Sequence, residues 1–120
     1  HGKPTAEVEV AFRELIEEFL TAEGFETQTA ASGEEALHIL ERSASDIVLT
    51  DLEMPNLNGL DLTRRLRENE AWKSLPVIMI TSRGTDKHRS NAEQVGVSAY
   101  LTKPYSDGDL LNQMRDLLAA

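Results

Sequence analysis

The hydrophobic and polar positions of the chain change their period several times, and each change marks a predicted element. Apolar residues from Val8 to Ala22 recur at helical spacing, which predicts an amphipathic helix closed by Gly24. Short apolar runs without alternation, at Ile47–Leu49 and Val77–Ile80, indicate strands that are covered on both faces of a parallel sheet. The pattern therefore combines amphipathic helices with fully buried strands.

The rest of the chain continues this alternation. A strand predicted over Phe25–Ala30 precedes a helix that begins with a Ser32–Glu35 capping box and ends near Arg42. The later predicted elements are a helix over Leu60–Asn69, a helix over Asp86–Val95, a strand over Ala99–Leu101 and a last helix capped by Ser106. Strands that alternate with helices of about a dozen residues specify an α/β fold with a doubly wound parallel sheet.

The front of the chain departs from this scheme. Such a sheet usually opens with a buried hydrophobic strand, whereas residues 1–7 include Gly2 and Pro4, which both weaken strand pairing. Three alternatives follow: a sheet of four good strands, a short and irregular first strand, or a first strand from which several residues are missing. The prediction is a single domain over residues 1–120, nominally of five strands and five helices, with the first strand degenerate or missing.

Composition limits the classes of function. The net charge of −9 argues against direct binding to nucleic acid, which needs a basic surface. The chain contains no cysteine, so disulfides and thiolate metal sites are excluded. No apolar run approaches the roughly 18 residues that cross a bilayer, and no segment resembles a signal peptide. These features predict a cytoplasmic domain with no membrane or nucleic-acid partner.

Three polar residues each follow a predicted strand: Asp51, Thr81 and Lys103. Because the carboxyl ends of parallel strands meet at one edge of a sheet, where ligands bind, we expect these side chains to converge. A carboxylate can attack a phosphoryl donor and become an acyl phosphate, whose oxygens Mg²⁺, an ammonium group and a hydroxyl can hold. The set predicts a phosphate-accepting site centred on Asp51.

The motifs around these residues resemble the response-regulator receiver family, which has a flavodoxin-like fold. They are DIVLTDLEMP at 46–55 followed by Asn58-Gly59, PVIMITS at 76–82, and YLTKP at 100–104. Within the family, the chain looks most like the receivers of chemotaxis-type hybrid histidine kinases. The resemblance implies that Asp51 accepts a phosphoryl group from a histidine kinase or phosphotransfer domain.

The resemblance also implies how such a signal would leave the domain. Thr81 would turn inward on phosphorylation, Tyr100 would rotate with it, and the Lys103–Pro104 peptide bond would be cis. The change would reach an effector protein or a linked output domain through one face of the molecule. That face consists of the Asp86 helix, the last strand and the Ser106 helix.

A magnesium site is implied as well, although the sequence provides for it only in part. Its ligands would be Asp51, the backbone carbonyl of Glu53 and an acidic pair that closes the first strand of the family. By position that pair falls on Glu7 and Val8, and of these only Glu7 can bind a metal. Mg²⁺ binding is therefore expected to be weak or absent if the pair is truly missing.

Three functions are compatible with these residues. The first is a phosphoacceptor switch, which Asp51, Thr81 and Lys103 favour. The second is a pseudo-receiver, a protein-interaction module with an impaired metal site and no phosphorylation, which Val8 favours. The third is a phosphatase that uses an aspartyl phosphate, but that class needs an aspartate where this chain has Glu53. We expect the domain not to be an enzyme.

Overall fold

The computed structural model describes residues 7–11, 16–52 and 57–119, of which residues 7–11 and residue 16 are described as backbone. In this part of the chain, five parallel strands form one sheet in the order β2-β1-β3-β4-β5, and five helices connect or follow them. The elements are β1 (Glu7–Ala11), α1 (Ile16–Ala22), β2 (Glu26–Thr29), α2 (Gly33–Arg42), β3 (Ile47–Asp51), α3 (Gly59–Arg67), β4 (Val77–Thr81), α4 (Asp86–Val95), β5 (Ala99–Thr102) and α5 (Asp107–Ala119). The predicted α/β class with a doubly wound parallel sheet is confirmed.

The first strand is where the prediction of a single helix from Val8 to Ala22 is wrong. Residues Glu7–Ala11 form β1, which lies between two strands and pairs Val8 with Thr27 on one side and with Ile47 on the other. Valines at alternate positions suit a strand, and a central strand gains backbone hydrogen bonds on both sides, which outweighs a local helical spacing. The first strand is thus present, with five residues like β3 and β4, and it pairs in continuous register on both sides, so it is neither missing nor irregular.

The core consists of two hydrophobic layers, one on each face of the sheet. Successive residues of a strand point to opposite faces, so β3 sends Ile47 and Leu49 to one layer and Val48 to the other. The first layer is completed by α1 and α5, and its buried members are Leu20, Ile47, Leu49, Ile78, Ile80, Leu110 and Met114. The second is completed by α2 and α3, and includes Ala36, Ile39, Leu40, Val48, Leu62, Leu66 and Val77. Since both faces are covered, polar chemistry is confined to the ends of the strands.

Helix ends follow the sequence signals closely. The Ser32 hydroxyl accepts a hydrogen bond from the Glu35 amide at 3.2 Å, and the Glu35 carboxylate accepts one from the Ala31 amide at 3.0 Å. The Ser106 hydroxyl accepts from the Asp109 amide at 3.0 Å. The predicted caps of α2 and α5 are therefore confirmed. None of the helices in the described ranges is long and apolar enough to cross a membrane.

Arg67, at the end of α3, links α3 to two neighbouring segments. Its Nε donates to the carbonyl of Gly96, which caps the C-terminus of α4, at 2.9 Å, and its Nη1 donates to the carbonyl of Trp72 at 3.2 Å. Burial lowers the pKa of Arg67 from its ordinary value. The guanidinium therefore satisfies two backbone carbonyls that α3, α4 and the loop before β4 bring together.

Candidate phosphoacceptor site

Asp51 is the last residue of β3 and pairs with Ile80 of β4, so it stands at the carboxyl edge of the sheet. Its side chain is 17% exposed, so the carboxylate is partly accessible to solvent. The start of α3 packs against its backbone: a Cβ placed on Gly59 would lie 2.4 Å from the Asp51 carbonyl oxygen. Only glycine allows this approach. In the sequence, Asn58-Gly59 follows the motif that contains Asp51, and that spacing does not predict this contact.

Lys103 reaches Asp51 from the loop after β5. Its Nζ donates to Asp51 Oδ2 at 3.1 Å, and the lysine side chain is 29% exposed. The Lys103 amide donates to the Thr81 carbonyl at 2.8 Å, which ties the end of β5 to the end of β4. The Lys103–Pro104 peptide bond is cis, as the resemblance implies. The structure thus brings the predicted carboxylate and ammonium together.

Thr81 ends β4 one residue beyond the partner of Asp51, opposite Thr102 of β5. It is fully buried, and its hydroxyl accepts a hydrogen bond from the Arg83 amide at 3.1 Å. The hydroxyl therefore stands at the same edge as Asp51 and is bound to the loop that leads into α4. Thr81 lies at the edge where its position in the sequence predicts it, whereas its hydrogen bond to the Arg83 amide has no signal in the sequence.

Tyr100 lies in β5 opposite Met79 and is half-buried. Its hydroxyl donates to the Arg83 carbonyl, and the guanidinium carbon of Arg89 stands 4.8 Å from the centre of its ring. Burial raises the pKa of Tyr100, while the positive charges of Arg89 and Arg83 act in the opposite direction. Arg83 therefore connects Tyr100 and Thr81 through its backbone. No periodic signal in the sequence pointed to this link.

Glu7, predicted as a possible metal ligand, is not brought to this edge. It is the first of the five residues of β1 and pairs with Glu26, whereas the site lies at the opposite end of the parallel strands. At about 3.3 Å per residue, its backbone lies about 13 Å along β1 from Ala11, which pairs with Thr50 beside the site. The proposal of Glu7 as a ligand is therefore corrected: the acidic pair was placed on Glu7 and Val8 at the end of the first strand, whereas β1 ends three residues later, at Ala11.

The other predicted metal donors divide into one at the site and one outside the described residues. Asp51 supplies a carboxylate at the edge, and Glu53 belongs to residues 53–56, which lie outside the described ranges. Within those ranges, no three His, Cys, Asp or Glu side chains form a group that could hold a metal. Mg²⁺ is commonly bound through one or two carboxylates together with phosphate oxygens and water. Asp51 provides one carboxylate, which is the smallest number in such sites.

The doubly wound sheet, with an aspartate, a threonine and a lysine at the carboxyl ends of β3, β4 and β5, defines an α/β domain of the receiver type. The response regulator receiver domain family matches residues 6–115, and the chain belongs to this family.

Relatives and solved structures agree with this assignment. The chain is 33% identical to the "Probable transcriptional regulator ycf29" of Pyropia yezoensis, over 94% of its own length and 51% of that protein. It is 35% identical to the phosphate regulon regulatory protein PhoB of Rhizobium meliloti strain 1021, over 93% of its length and 49% of PhoB. The chain thus spans about half the length of these curated relatives.

Among solved structures, a response regulator from Chloroflexus aurantiacus J-10-fl superposes with a TM-score of 0.91 at 27% identity, covering 97% of this chain and 99% of that one. The receiver domain of the sensor histidine kinase PA1611 of Pseudomonas aeruginosa PAO1 superposes with a TM-score of 0.85 at 25% identity, with the same coverage. That structure has a magnesium ion in its active-site cleft. Since both regulators and a kinase receiver are similar, the hybrid-kinase subgroup stays a prediction.

Proposed function

We propose that this domain is a phosphoacceptor switch in which Asp51 takes a phosphoryl group from a histidine kinase or a phosphotransfer domain. The observation that carries the proposal is the 3.1 Å contact between Lys103 Nζ and Asp51 Oδ2 at the carboxyl edge of the sheet. The buried hydroxyl of Thr81 stands at the same edge. An ammonium and a hydroxyl are the groups that a new phosphoryl dianion beside Asp51 requires.

The step needs little covalent work from the protein. An Asp51 carboxylate oxygen forms a bond to phosphorus while the bond from phosphorus to the donor's imidazole nitrogen breaks, and the imidazole keeps the electron pair and takes a proton. Lys103, already within hydrogen-bond distance of Asp51, holds the charge that gathers on one phosphoryl oxygen. Thr81 donates to another after its hydroxyl leaves the Arg83 amide. Mg²⁺, if held by Asp51 and phosphoryl oxygens, would neutralise further charge.

The output would leave through the face formed by α4, β5 and α5. Thr81 and Tyr100 both bond to the backbone of Arg83, so a movement of the Thr81 hydroxyl toward the phosphoryl group would disturb the acceptor of Tyr100. An effector protein or a linked output domain is the proposed reader of that change. Curated relatives are transcriptional regulators, but with a net charge of −9 this domain is expected not to contact nucleic acid itself. A kinase partner implies a cytoplasmic location.

Mass spectrometry after incubation with acetyl phosphate and Mg²⁺ tests the proposal. The unmodified sequence should gain one phosphoryl group, and Asp51→Asn should gain none, because an amide oxygen is a poor nucleophile at this site. Absence of the gain at saturating Mg²⁺ would contradict the proposal. The site of the gain is fixed by borohydride trapping, which reduces the acyl phosphate at the modified side chain.

Lys103 provides a second test with a matched control. Lys103→Met should slow phosphorylation about tenfold to a hundredfold. This effect is at or below the low end of that for removing a fully enclosed oxyanion donor, because the lysine side chain is 29% exposed. Lys73→Met removes an exposed lysine that pairs with Glu70 at 2.9 Å, and it should leave the rate unchanged. Equal rates in the two variants would contradict the role of Lys103.

The pseudo-receiver is a second candidate because Glu7 lies at the far end of β1 and Ala11 stands beside Thr50. It predicts no phosphoryl gain under any Mg²⁺ concentration while the domain still binds its protein partner. A phosphatase is the third candidate, and we propose that the domain has no such activity. Steady release of phosphate from a phosphate ester, with many turnovers per molecule, would show otherwise.

A further inference from the structure

Tyr100 is held at two points by residues of the β4–α4 region. Its hydroxyl donates to the Arg83 carbonyl, and the Arg89 guanidinium covers the face of its ring, with the central carbon 4.8 Å from the ring centre. Arg89 Nη1 also lies 3.4 Å from the carbonyl oxygen of Tyr100 itself, a long hydrogen bond. A single guanidinium therefore contacts both the backbone and the side chain of one residue.

These two contacts of Arg89 respond differently when the tyrosine ring turns. The carbonyl of Tyr100 is fixed because β5 pairs with β4 in the sheet, where Tyr100 faces Met79. Rotation about the Cα–Cβ bond moves the ring and leaves the carbonyl in place, so the cation–π contact is lost while the backbone contact survives. Arg89 thus remains anchored beside β5 and favours the one ring orientation that it can cover.

The other point of attachment of Tyr100 is shared with the phosphoacceptor edge. The Arg83 amide donates to the Thr81 hydroxyl at 3.1 Å, and the carbonyl of the same residue accepts from Tyr100. The position of Tyr100 is consequently set by two groups: the Arg83 backbone, which is hydrogen-bonded to Thr81, and the Arg89 side chain, which reaches Tyr100 from α4.

We propose that Arg89 is a positioning residue that holds Tyr100 in the orientation bound to the Arg83 carbonyl and so sets how readily Tyr100 moves when Thr81 moves. The proposal rests on the proposed function for its consequence, since it concerns the residue through which the switch would act. Its structural content concerns the unmodified domain. From the strength of a partly exposed cation–π contact, loss of Arg89 should raise the population of other Tyr100 orientations about twofold to fivefold.

Fluorine NMR of protein labelled with 3-fluorotyrosine measures this directly. The chain has two tyrosines, so Tyr105→Phe leaves Tyr100 as the single reporter. In that background, Arg89→Gln should shift the Tyr100 resonance toward the value of exposed tyrosine, and Arg89→Lys should restore most of the original shift, because an ammonium also binds an aromatic face. Lys87→Gln, one of the exposed positions of α4, removes an equal charge and should leave the resonance in place.

Several outcomes would overturn the role of Arg89. One is an unchanged resonance in Arg89→Gln, and another is an equal shift in Lys87→Gln, which would indicate a general effect of charge. Arg89→Met is measured alongside, since it keeps the aliphatic part of the side chain if the glutamine variant folds poorly, and circular dichroism reports the folded fraction. No phosphoryl donor is present, so the result is separate from the phosphorylation test. A domain that gains a phosphoryl group on Asp51 but shows no effect of Arg89 retains the proposed function and loses this inference.

Discussion

Gly59 is the position where one added methyl group tests the architecture of the site most directly. It is the first residue of α3, and a Cβ there would lie 2.4 Å from the Asp51 carbonyl oxygen and 2.9 Å from Met79 Sδ. Ordinary contact begins near 3.4 Å, so Gly59→Ala must separate the start of α3 from the end of β3 by about 1 Å. The methionine sulfur can move away through side-chain rotation, whereas the Asp51 carbonyl can move only if the backbone of β3 moves with it.

The expected cost follows from two opposing effects. Overpacking a core typically costs about 1–3 kcal/mol, and a clash with backbone belongs in the upper half of that range. Replacing glycine by alanine in a helix raises the free energy of unfolding by up to about 1 kcal/mol. The net loss in the free energy of unfolding should therefore be about 1–2 kcal/mol, or a fall in Tm of about 3–10 °C for a domain of this size.

Gly108 provides the matched control, because it also lies in the first turn of a helix. A Cβ on Gly108 would meet nothing closer than Ser106 Oγ at 4.0 Å. Gly108→Ala should therefore be neutral or stabilising by up to about 1 kcal/mol, since only the helix term remains. Thermal and urea unfolding of the two variants, followed by circular dichroism, measure the difference.

The same substitution should also slow phosphorylation. A displacement of a reacting group by about 1 Å can reduce a rate about a hundredfold, and Asp51 is the group that Gly59→Ala displaces. The reasoning would be refuted if Gly59→Ala unfolded at the same temperature as Gly108→Ala. It would also fail if Gly59→Ala were destabilised while phosphorylation by acetyl phosphate proceeded at the original rate.

Two further predictions concern groups outside the phosphoryl site. Arg67→Met leaves two half-buried carbonyls without their donor and should lower the free energy of unfolding by about 1–3 kcal/mol. The control Arg64→Ala removes an exposed ion pair and should lower it by about 0.5 kcal/mol or less. Urea unfolding measures both variants. Burial raises the pKa of Tyr100, so the stability it contributes is present below the ordinary tyrosine pKa of about 10 and is lost as the pH rises through the folded pKa. Arg83→Gln should raise that pKa further in the single-tyrosine background, because it removes a positive charge and keeps the backbone carbonyl that accepts from Tyr100. An absorbance titration of the phenolate would show the rise, and a lower value would contradict it.

The sequence predicted the central strands well because their patterns admit few other structures. The runs at β3 and β4 are apolar at every position and flanked by polar or turn residues, and both strands are buried along most of their length. The capping residues Ser32 and Ser106 also acted as predicted. In these segments the local sequence pattern and the tertiary packing favour the same structure, so the sequence pattern was sufficient to predict it.

The first strand was predicted poorly because its local and tertiary preferences disagree. Val8 belongs to an apolar stripe that continues through Ile16 at helical spacing, and that stripe is long enough to suggest one helix. Pairing with both β2 and β3 is a non-local interaction that a periodicity argument does not contain. The error at Glu7 has a separate cause, because the acidic pair was placed by its spacing to later residues of the family pattern, and β1 ends at Ala11 rather than at Val8.

The residues of the site that follow the parallel strands could be predicted from the sequence, whereas the contacts that depend on packing between elements could not. Asp51, Thr81 and Lys103 follow three strands of one sheet, so their convergence follows from topology. The close approach of Gly59 to Asp51 depends on the distance between α3 and β3. The pairing of Arg89 with Tyr100 spans α4 and β5 and depends on side-chain orientation. Neither distance is encoded in a motif.

The position of Glu7 leads to a last prediction about the dependence on Mg²⁺. The backbone of Glu7 lies about 13 Å along β1 from Ala11, which is more than a Debye length of about 8–10 Å at ordinary ionic strength. Even unscreened in water, the interaction between two unit charges at that distance is only about 0.3 kcal/mol. Glu7→Gln should therefore change the Mg²⁺ concentration that gives half-maximal phosphorylation by less than about twofold, whereas Asp51→Asn abolishes the reaction. A tenfold rise in that concentration for Glu7→Gln would mean that Glu7 reaches the phosphoryl site and that the register of β1 must differ.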